Sequence, residues 1–155
     1  MRSPPVSPED EAGMRAALAI ARRGGELGEV PVGAVVMRVG EALGQAHNEC
    51  EARKDPTAHA ELLAIQRALG ASGAERLTDA TLYITLEPCA QCAGAIVLAR
   101  VGRVVYGAPD PKAGMAGSVG DLLRHPALNH RPEVIGGVLA DECGDLLSGF
   151  FSDRR

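Results

Sequence analysis

The sequence predicts a layered α/β fold. Stretches with the 3.6-residue periodicity of helices alternate along the chain with short apolar or alternating runs typical of strands. No linker, internal repeat or low-complexity tract interrupts the 155 residues, so one domain, 1–155, is expected. Helical stretches separate the later strands. Parallel strands need such crossovers, and most of the sheet should therefore be covered on both faces.

The elements follow in order. Ser7 is placed to cap a helix, with Pro8 at its first position and Glu9 and Asp10 at the positive end of its dipole. Met14, Ala17, Leu18 and Ala21 recur at helical spacing, and Gly24-Gly25 should end the helix. Val32 to Val39 reads as a buried strand, Gly40 as the turn, and Glu41 to His47 as the antiparallel partner. Asp55 and Pro56 are expected to start a second helix that runs through Glu61, Leu62, Ile65 and Leu69 to Gly70. Thr81 to Leu86 alternates, with Leu82, Ile84 and Leu86 on one face and Thr81, Tyr83 and Thr85 on the other. A helix from Pro88 to about Arg100, a strand from Arg103 to Ala108 and a short helix at Leu122 come next. Val134 to Leu139 reads as the last strand and Ala140 to Phe151 as the last helix. The expected order is α-β-β-α-β-α-β-α-β-α.

Composition excludes several classes. With 46% apolar and 23% charged residues, the chain is neither a disordered polyelectrolyte nor a collagen-like rod. No apolar run reaches the ~18 residues of a membrane span. The start, MRSPPVSPEDEAG, is too acidic and polar for a signal peptide, so a cytoplasmic protein with no membrane partner is expected. The net charge of −4 argues weakly against a nucleic-acid partner. The acidity lies upstream: residues 1–99 hold nine basic and thirteen acidic side chains, whereas 100–155 hold seven of each. Lys54 and Lys112 are the only lysines, so any basic patch should be local and mostly arginine.

The four cysteines are Cys50, Cys89, Cys92 and Cys143. In a reducing compartment a Cys-x-x-Cys pair suits a metal or redox site better than a disulfide. Cys89 and Cys92 are three apart at a predicted helix start, where they share a face and the unpaired amides stabilise thiolate, the form zinc requires. The pair alone fits metal and redox chemistry equally. His59 and Glu61 favour metal. Two residues apart they would diverge by ~200° in mid-helix. At a helix start, however, Cβ atoms lean toward the N-terminus, and both side chains can reach a group beyond the helix end. With the thiolates, His59 makes three protein ligands. Zinc prefers four, and a fourth position open to water marks a catalytic site. Zinc lowers the pKa of bound water toward about 7, which suits hydrolytic deamination of an amidine-like carbon. Glu61, beside the metal but not needed as a ligand, can move the proton from water to the substrate. Taken singly, His59 reads as a core histidine and Glu61 as a helix glutamate. The combination overrides both.

His59-Ala60-Glu61 followed by Pro88-Cys89-Ala90-Gln91-Cys92 is the signature of the zinc-dependent cytidine and deoxycytidylate deaminase superfamily. Longer stretches resemble the bacterial tRNA-specific adenosine deaminases. They are Glu29 to Val35, Asp55 to Glu61, Ala80 to Cys89, Gly102 to Ala108, Asn129-His130-Arg131, and Leu139 to Cys143. The likeness runs from about residue 10 to 155.

The resemblance implies a three-layer α/β/α sandwich around a five-stranded mixed sheet, the cytidine deaminase-like fold. It implies a homodimer with one Zn2+ per subunit, and hydrolysis of adenosine to inosine at the wobble position of a tRNA anticodon stem-loop. It makes His59, Cys89 and Cys92 the zinc ligands and Glu61 the proton shuttle. Asn48 matches a residue that contacts the flipped-out nucleotide, and Val30 and Pro31 match the wall of the base pocket. Asp110, with Lys112 in the same loop, matches an acidic residue near the target ribose. A carboxylate there can accept from a 2′-hydroxyl, a physical route to preferring RNA. Phe150 and Phe151 match a C-terminal helix near the stem-loop, where aromatics can stack on bases. Arg154 and Arg155 could meet phosphates. Cys143 is expected to be buried in a helix and Cys50 to be a loop thiol. Two other readings keep the zinc site: a deaminase of a free nucleobase or nucleotide, of guanine or cytosine type, and a zinc-stabilised scaffold without turnover.

Overall fold

The computed structural model describes residues 5–154; Arg155 lies outside the described residues. The elements are α1 Pro8–Glu26, β1 Gly33–Arg38, β2 Glu41–His47, α2 Cys50–Arg53, α3 Ala60–Ser72, β3 Thr81–Leu86, α4 Ala90–Ala99, β4 Arg103–Ala108, β5 Glu133–Ile135 and α5 Ala140–Ser152. The strands form one sheet in the order β2-β1-β3-β4-β5. β1 runs antiparallel to both β2 and β3, while β3, β4 and β5 are parallel. The sheet is therefore mixed, and the fold is the expected α/β sandwich.

Alternation along the strands splits the core in two. Ala34, Val36, Leu82, Ile84 and Val104 point to one side, where Leu63, Ala64 and Ala68 of α3 and Ala93 and Ile96 of α4 cover them. Val35, Tyr83 and Val105 point to the other, against Met14, Ala17 and Leu18 of α1 and Cys143 of α5. Two glycines let helix backbone approach the sheet. A Cβ at Gly33 would overlap the Ala17 carbonyl oxygen and stand 2.6 Å from Ala21 N; one at Gly44 would stand 2.5 Å from Ala64 O.

Several expected boundaries move, each for a physical reason. α1 continues through Gly24-Gly25, because these glycines are contact points: a Cβ would sit 2.7 Å from the His47 side chain at Gly24 and 3.2 Å from Pro31 at Gly25. Asp55 does not cap a helix. Its Oδ1 accepts from Thr57 N (2.8 Å) and Thr57 Oγ1 (2.7 Å) in a local turn, and α3 starts five residues later with His59 as N-cap. α4 likewise starts with Cys89, not Pro88, in the cap position. The one-turn α2 is an addition, so Cys50 begins a short helix rather than lying in a loop. Leu122 is not helical; it follows the isolated bridge Ala116–Asp121 and donates its amide to Met115 O. β5 stops at Ile135 because Gly136 packs on the Tyr106 ring and Gly137 turns at φ +85°.

Candidate active site

The segments before α3 and α4 meet beyond the carboxyl end of β3. His59 and Cys89 are the N-caps of the two helices, both with extended backbone, and Cys92 is the third residue of α4. His59 Nδ1 lies 3.5 Å from Cys89 Sγ and 3.6 Å from Cys92 Sγ, and all three donor atoms fall within 4.8 Å of one another. Tetrahedral zinc, with Zn–N near 2.05 Å and Zn–S near 2.3 Å, requires N···S separations of about 3.6 Å. The donor set and its spacing therefore fit zinc. No fourth His, Cys, Asp or Glu joins the group among the described residues.

The local electrostatics favour a cation. The Cys92 thiol, then His59, hold Cys89 well below the usual thiol range, which favours its thiolate charge. The Cys92 amide at the start of α4 supports that charge. Cys89 and burial push Cys92 upward, and the hydrogen bond to Cys89 raises His59. Glu61, the second residue of α3, is 4% exposed, and its burial pushes it up to about 7. A carboxyl group poised there can both take and give a proton near neutral pH.

His59 caps α3 in position only, since its side chain makes no cap hydrogen bond. Asn48 does that work from the end of β2: its Oδ1 accepts from Ala60 N at 2.8 Å, and its Nδ2 donates to Val30 O at 3.3 Å. Asn48 thus ties the Val30-Pro31 segment to the start of the helix that carries His59 and Glu61. Gln91 makes a parallel tie, donating to Thr57 O at 3.0 Å from α4.

The model of the MafB19-like deaminase family matches residues 8–155. A tRNA-specific adenosine deaminase from Bacillus subtilis is 50% identical over 147 residues, covering 95% of this chain and 91% of its own. A solved structure from work on A-to-I editing by tRNA:A34 deaminases at the wobble position superimposes with a TM-score of 0.84 at 43% identity, over 88% of this chain and 99% of that one. The chain belongs to the tRNA-specific adenosine deaminases. A guanine deaminase from Nitrosomonas europaea, 21% identical with a TM-score of 0.81 over 97% of this chain and 87% of its own, shares the fold.

The other expected contacts fall into three places. Asp110 is half-buried, and its Oδ1 accepts from Lys112 N (3.0 Å) and Ala113 N (3.2 Å), while the Lys112 side chain is exposed. Phe150 lines a cleft of about 420 Å³ between α1 and α5, with Pro31, Arg22 and Arg154. Phe151 is 50% exposed, meets Phe150 edge-on at 5.5 Å, and is not a core residue. The Arg154 guanidinium stacks 3.5 Å above the Phe150 ring. Val30 is half-buried beside Asn48, whereas Pro31 is buried and faces the α1–α5 cleft.

Sequence reasoning missed two buried carboxylates. Glu29, 2% exposed, accepts from Glu51 N and Ala52 N at 2.9 Å each and so holds α2. Glu87, 1% exposed, binds the loop that carries Asp110. A signal for Glu87 was present: it follows a strand directly, where apolar residues alternate, and it precedes the Pro88-Cys89 step.

Proposed function

We propose that the chain hydrolyses the wobble adenosine of a tRNA anticodon to inosine, with zinc held by His59, Cys89 and Cys92 and Glu61 as the proton carrier. The observation that carries this reading is the convergence of two helix N-caps and one first-turn thiol at the spacing zinc demands, with a buried carboxyl group two residues from the histidine. When bound there, zinc lowers the pKa of water toward about 7. Glu61 takes the proton released as the water oxygen attacks the carbon bearing the amino group, and it delivers a proton to the ring nitrogen. It later assists departure of ammonia, so water and adenosine become inosine and ammonia. Burial suits Glu61 to this work, since a group near 7 exchanges protons readily in both directions.

Asn48 has one amide hydrogen left after its bonds to Val30 and Ala60, and with Val30 and Pro31 it would border the extruded base. Asp110 and Lys112 would meet the ribose and backbone, and Phe150 and Phe151 would stack on bases of the loop. The active unit is a homodimer of single-domain subunits, one zinc each, working in the cytoplasm where tRNA is found. Binding should weaken with salt, as phosphate contacts do.

A free-nucleobase substrate is the second reading, favoured by the net charge of −4. Inosine formation is measured on an anticodon stem-loop with adenosine at its first anticodon position, alongside free adenine, guanine and cytosine. Turnover of the stem-loop alone supports the first reading, and turnover of a free base alone replaces it. Glu61→Gln should keep metal and fold yet lose about 10²–10⁴ in rate.

A further inference from the structure

Glu87 stands between the end of β3 and the Pro88-Cys89 step, and its side chain is 1% exposed. Its Oε1 accepts from Asp110 N at 3.0 Å and from Ser118 Oγ. Its Oε2 accepts from Ala116 N at 2.9 Å and Ser118 N at 3.1 Å. Each oxygen takes two donors, which fills the acceptor sites of a carboxylate. Gly114 crosses directly over the group; a Cβ there would overlap the carboxyl carbon and stand 2.5 Å from Oε1. An apolar residue could occupy this space, but three amides and a hydroxyl would lose their acceptor. The carboxylate is therefore committed to one loop, residues 110–118.

Glu87, Pro88 and Cys89 in succession bind the loop and supply a proposed metal ligand. Glu87 N donates to Ala108 O at 2.9 Å, extending the β3–β4 pairing, and Pro88 O accepts from Met115 N at 2.8 Å. Cys89 Sγ faces His59 Nδ1. Asp110 is thus fixed at its amide by Glu87, and its Oδ1 is taken by the amides of Lys112 and Ala113. That leaves Oδ2 for a substrate hydroxyl.

We propose that Glu87 is a positioning residue for the RNA substrate: its carboxylate fixes the 110–118 loop, and through that loop the Asp110 side chain, relative to Cys89. The inference rests on the reading of Asp110 as a ribose contact. Glu87→Gln keeps the side chain's size but turns one acceptor into a donor. Whichever oxygen is replaced, at least one amide of the loop faces another N–H. Asp110 then shifts while the metal ligands stay in place.

Steady-state kinetics of the metal-loaded, full-length enzyme on the RNA stem-loop test this with Glu87→Gln, Asp110→Asn and the double variant, each checked for metal content and thermal unfolding. Glu87→Gln should raise KM about tenfold, in line with loss of a hydrogen bond to a charged group, with kcat near wild type and metal content unchanged. In the Asp110→Asn background the same change should add little, because both act through one contact. Ser118→Ala, which removes one of the four donors, should move KM the same way by less, and it replaces Glu87→Gln in the cycle if that variant does not fold. If Asp110→Asn leaves KM unaltered, the ribose reading fails and takes this inference with it. If Asp110→Asn raises KM but the Glu87 effect is absent, or fully additive, or accompanied by metal loss, the ribose reading stands and the positioning role is overturned.

Discussion

Asp10 is 4% exposed, and Arg103 grips it with both terminal guanidinium nitrogens, Nη1 to Oδ1 at 2.5 Å and Nη2 to Oδ2 at 2.6 Å. Tyr83 Oη adds a third donor at 2.9 Å. Asp10→Asn would keep the shape, remove the charge and turn an N–H2 toward the guanidinium in either orientation, and toward the Tyr83 phenol as well in one of them. Removing one partner of a buried pair costs about 3–5 kcal/mol. Arg103 keeps a 27% exposed side chain and a second carboxylate, Glu133 at 3.1 Å, so the low end applies, about 3 kcal/mol. For a chain of this size that is a fall in Tm of about 6–12 °C at pH 7. The Arg103 hydrogen bonds hold Asp10 below its ordinary range. Its stabilisation is therefore full above the unfolded value near 3.8 and disappears as pH falls through the lower folded value. Thermal unfolding followed by circular dichroism should show a constant gap between wild type and variant from pH 7 to about 4.5, closing below 3.8. Because both proteins are compared at the same pH, loss of metal in acid affects them alike. A gap under about 1 °C at pH 7, or one that persists undiminished in acid, would refute a charge-based role.

Cys89→Ala should leave the chain with well under one bound zinc, by metal analysis after dialysis; full occupancy would remove Cys89 from the ligand set. The hairpin between β1 and β2 turns on Val39 (φ 45°) and Gly40 (φ 76°), a two-residue loop of the I′ kind, and Val39 is 99% exposed. Val39→Asn should therefore raise stability by about 1 kcal/mol, or Tm by about 2–4 °C, and a fall would mean the valine has a partner that the monomer lacks. Gly33→Ala should cost about 3 kcal/mol in urea unfolding, since the new methyl meets α1 backbone; Gly70→Ala, in open space on α3, should be neutral or stabilising.

Local chemistry was legible in the sequence; long-range pairing was not. Ser7 does accept from Asp10 N at 3.1 Å, the hairpin turn does fall at Gly40, and the two faces of β3 do enter the two cores, because each depends on neighbours within a few residues. The His59, Cys89 and Cys92 group was legible because its members lie at fixed offsets within two short motifs. Asp10 was read as a dipole residue, yet its main partner lies 93 positions away. Glu87 is marked by its place between a strand and the Pro-Cys step, but its partners are not legible: its donors are 23 to 31 residues downstream, in a stretch with no periodicity to place it. The start of α3 was misplaced because Asp55 is a good cap by type but spends its acceptor on Thr57. Gly24-Gly25 misled because a glycine at a close approach reads like a glycine at a helix end.

The metal group's place at helix N-caps has a structural consequence. A helix start needs acceptors for its free amides, and a cap side chain normally supplies one. His59 sits in that position, but its ring nitrogen points at two thiols, so it cannot serve. The missing acceptor comes from Asn48 Oδ1, and the same amide reaches Val30 O with its nitrogen. At α4 the thiolate of Cys89 receives the Cys92 amide itself, and Glu87 two residues earlier gathers the loop of Asp110. With two cap side chains turned toward each other, the anchoring task passes to neighbours, and those neighbours adjoin the segments expected to meet the substrate. A disturbance at Asn48 would reach the helix that carries His59 and Glu61, whereas one at Glu87 would reach the loop of Asp110 and leave His59 and the two cysteines in place.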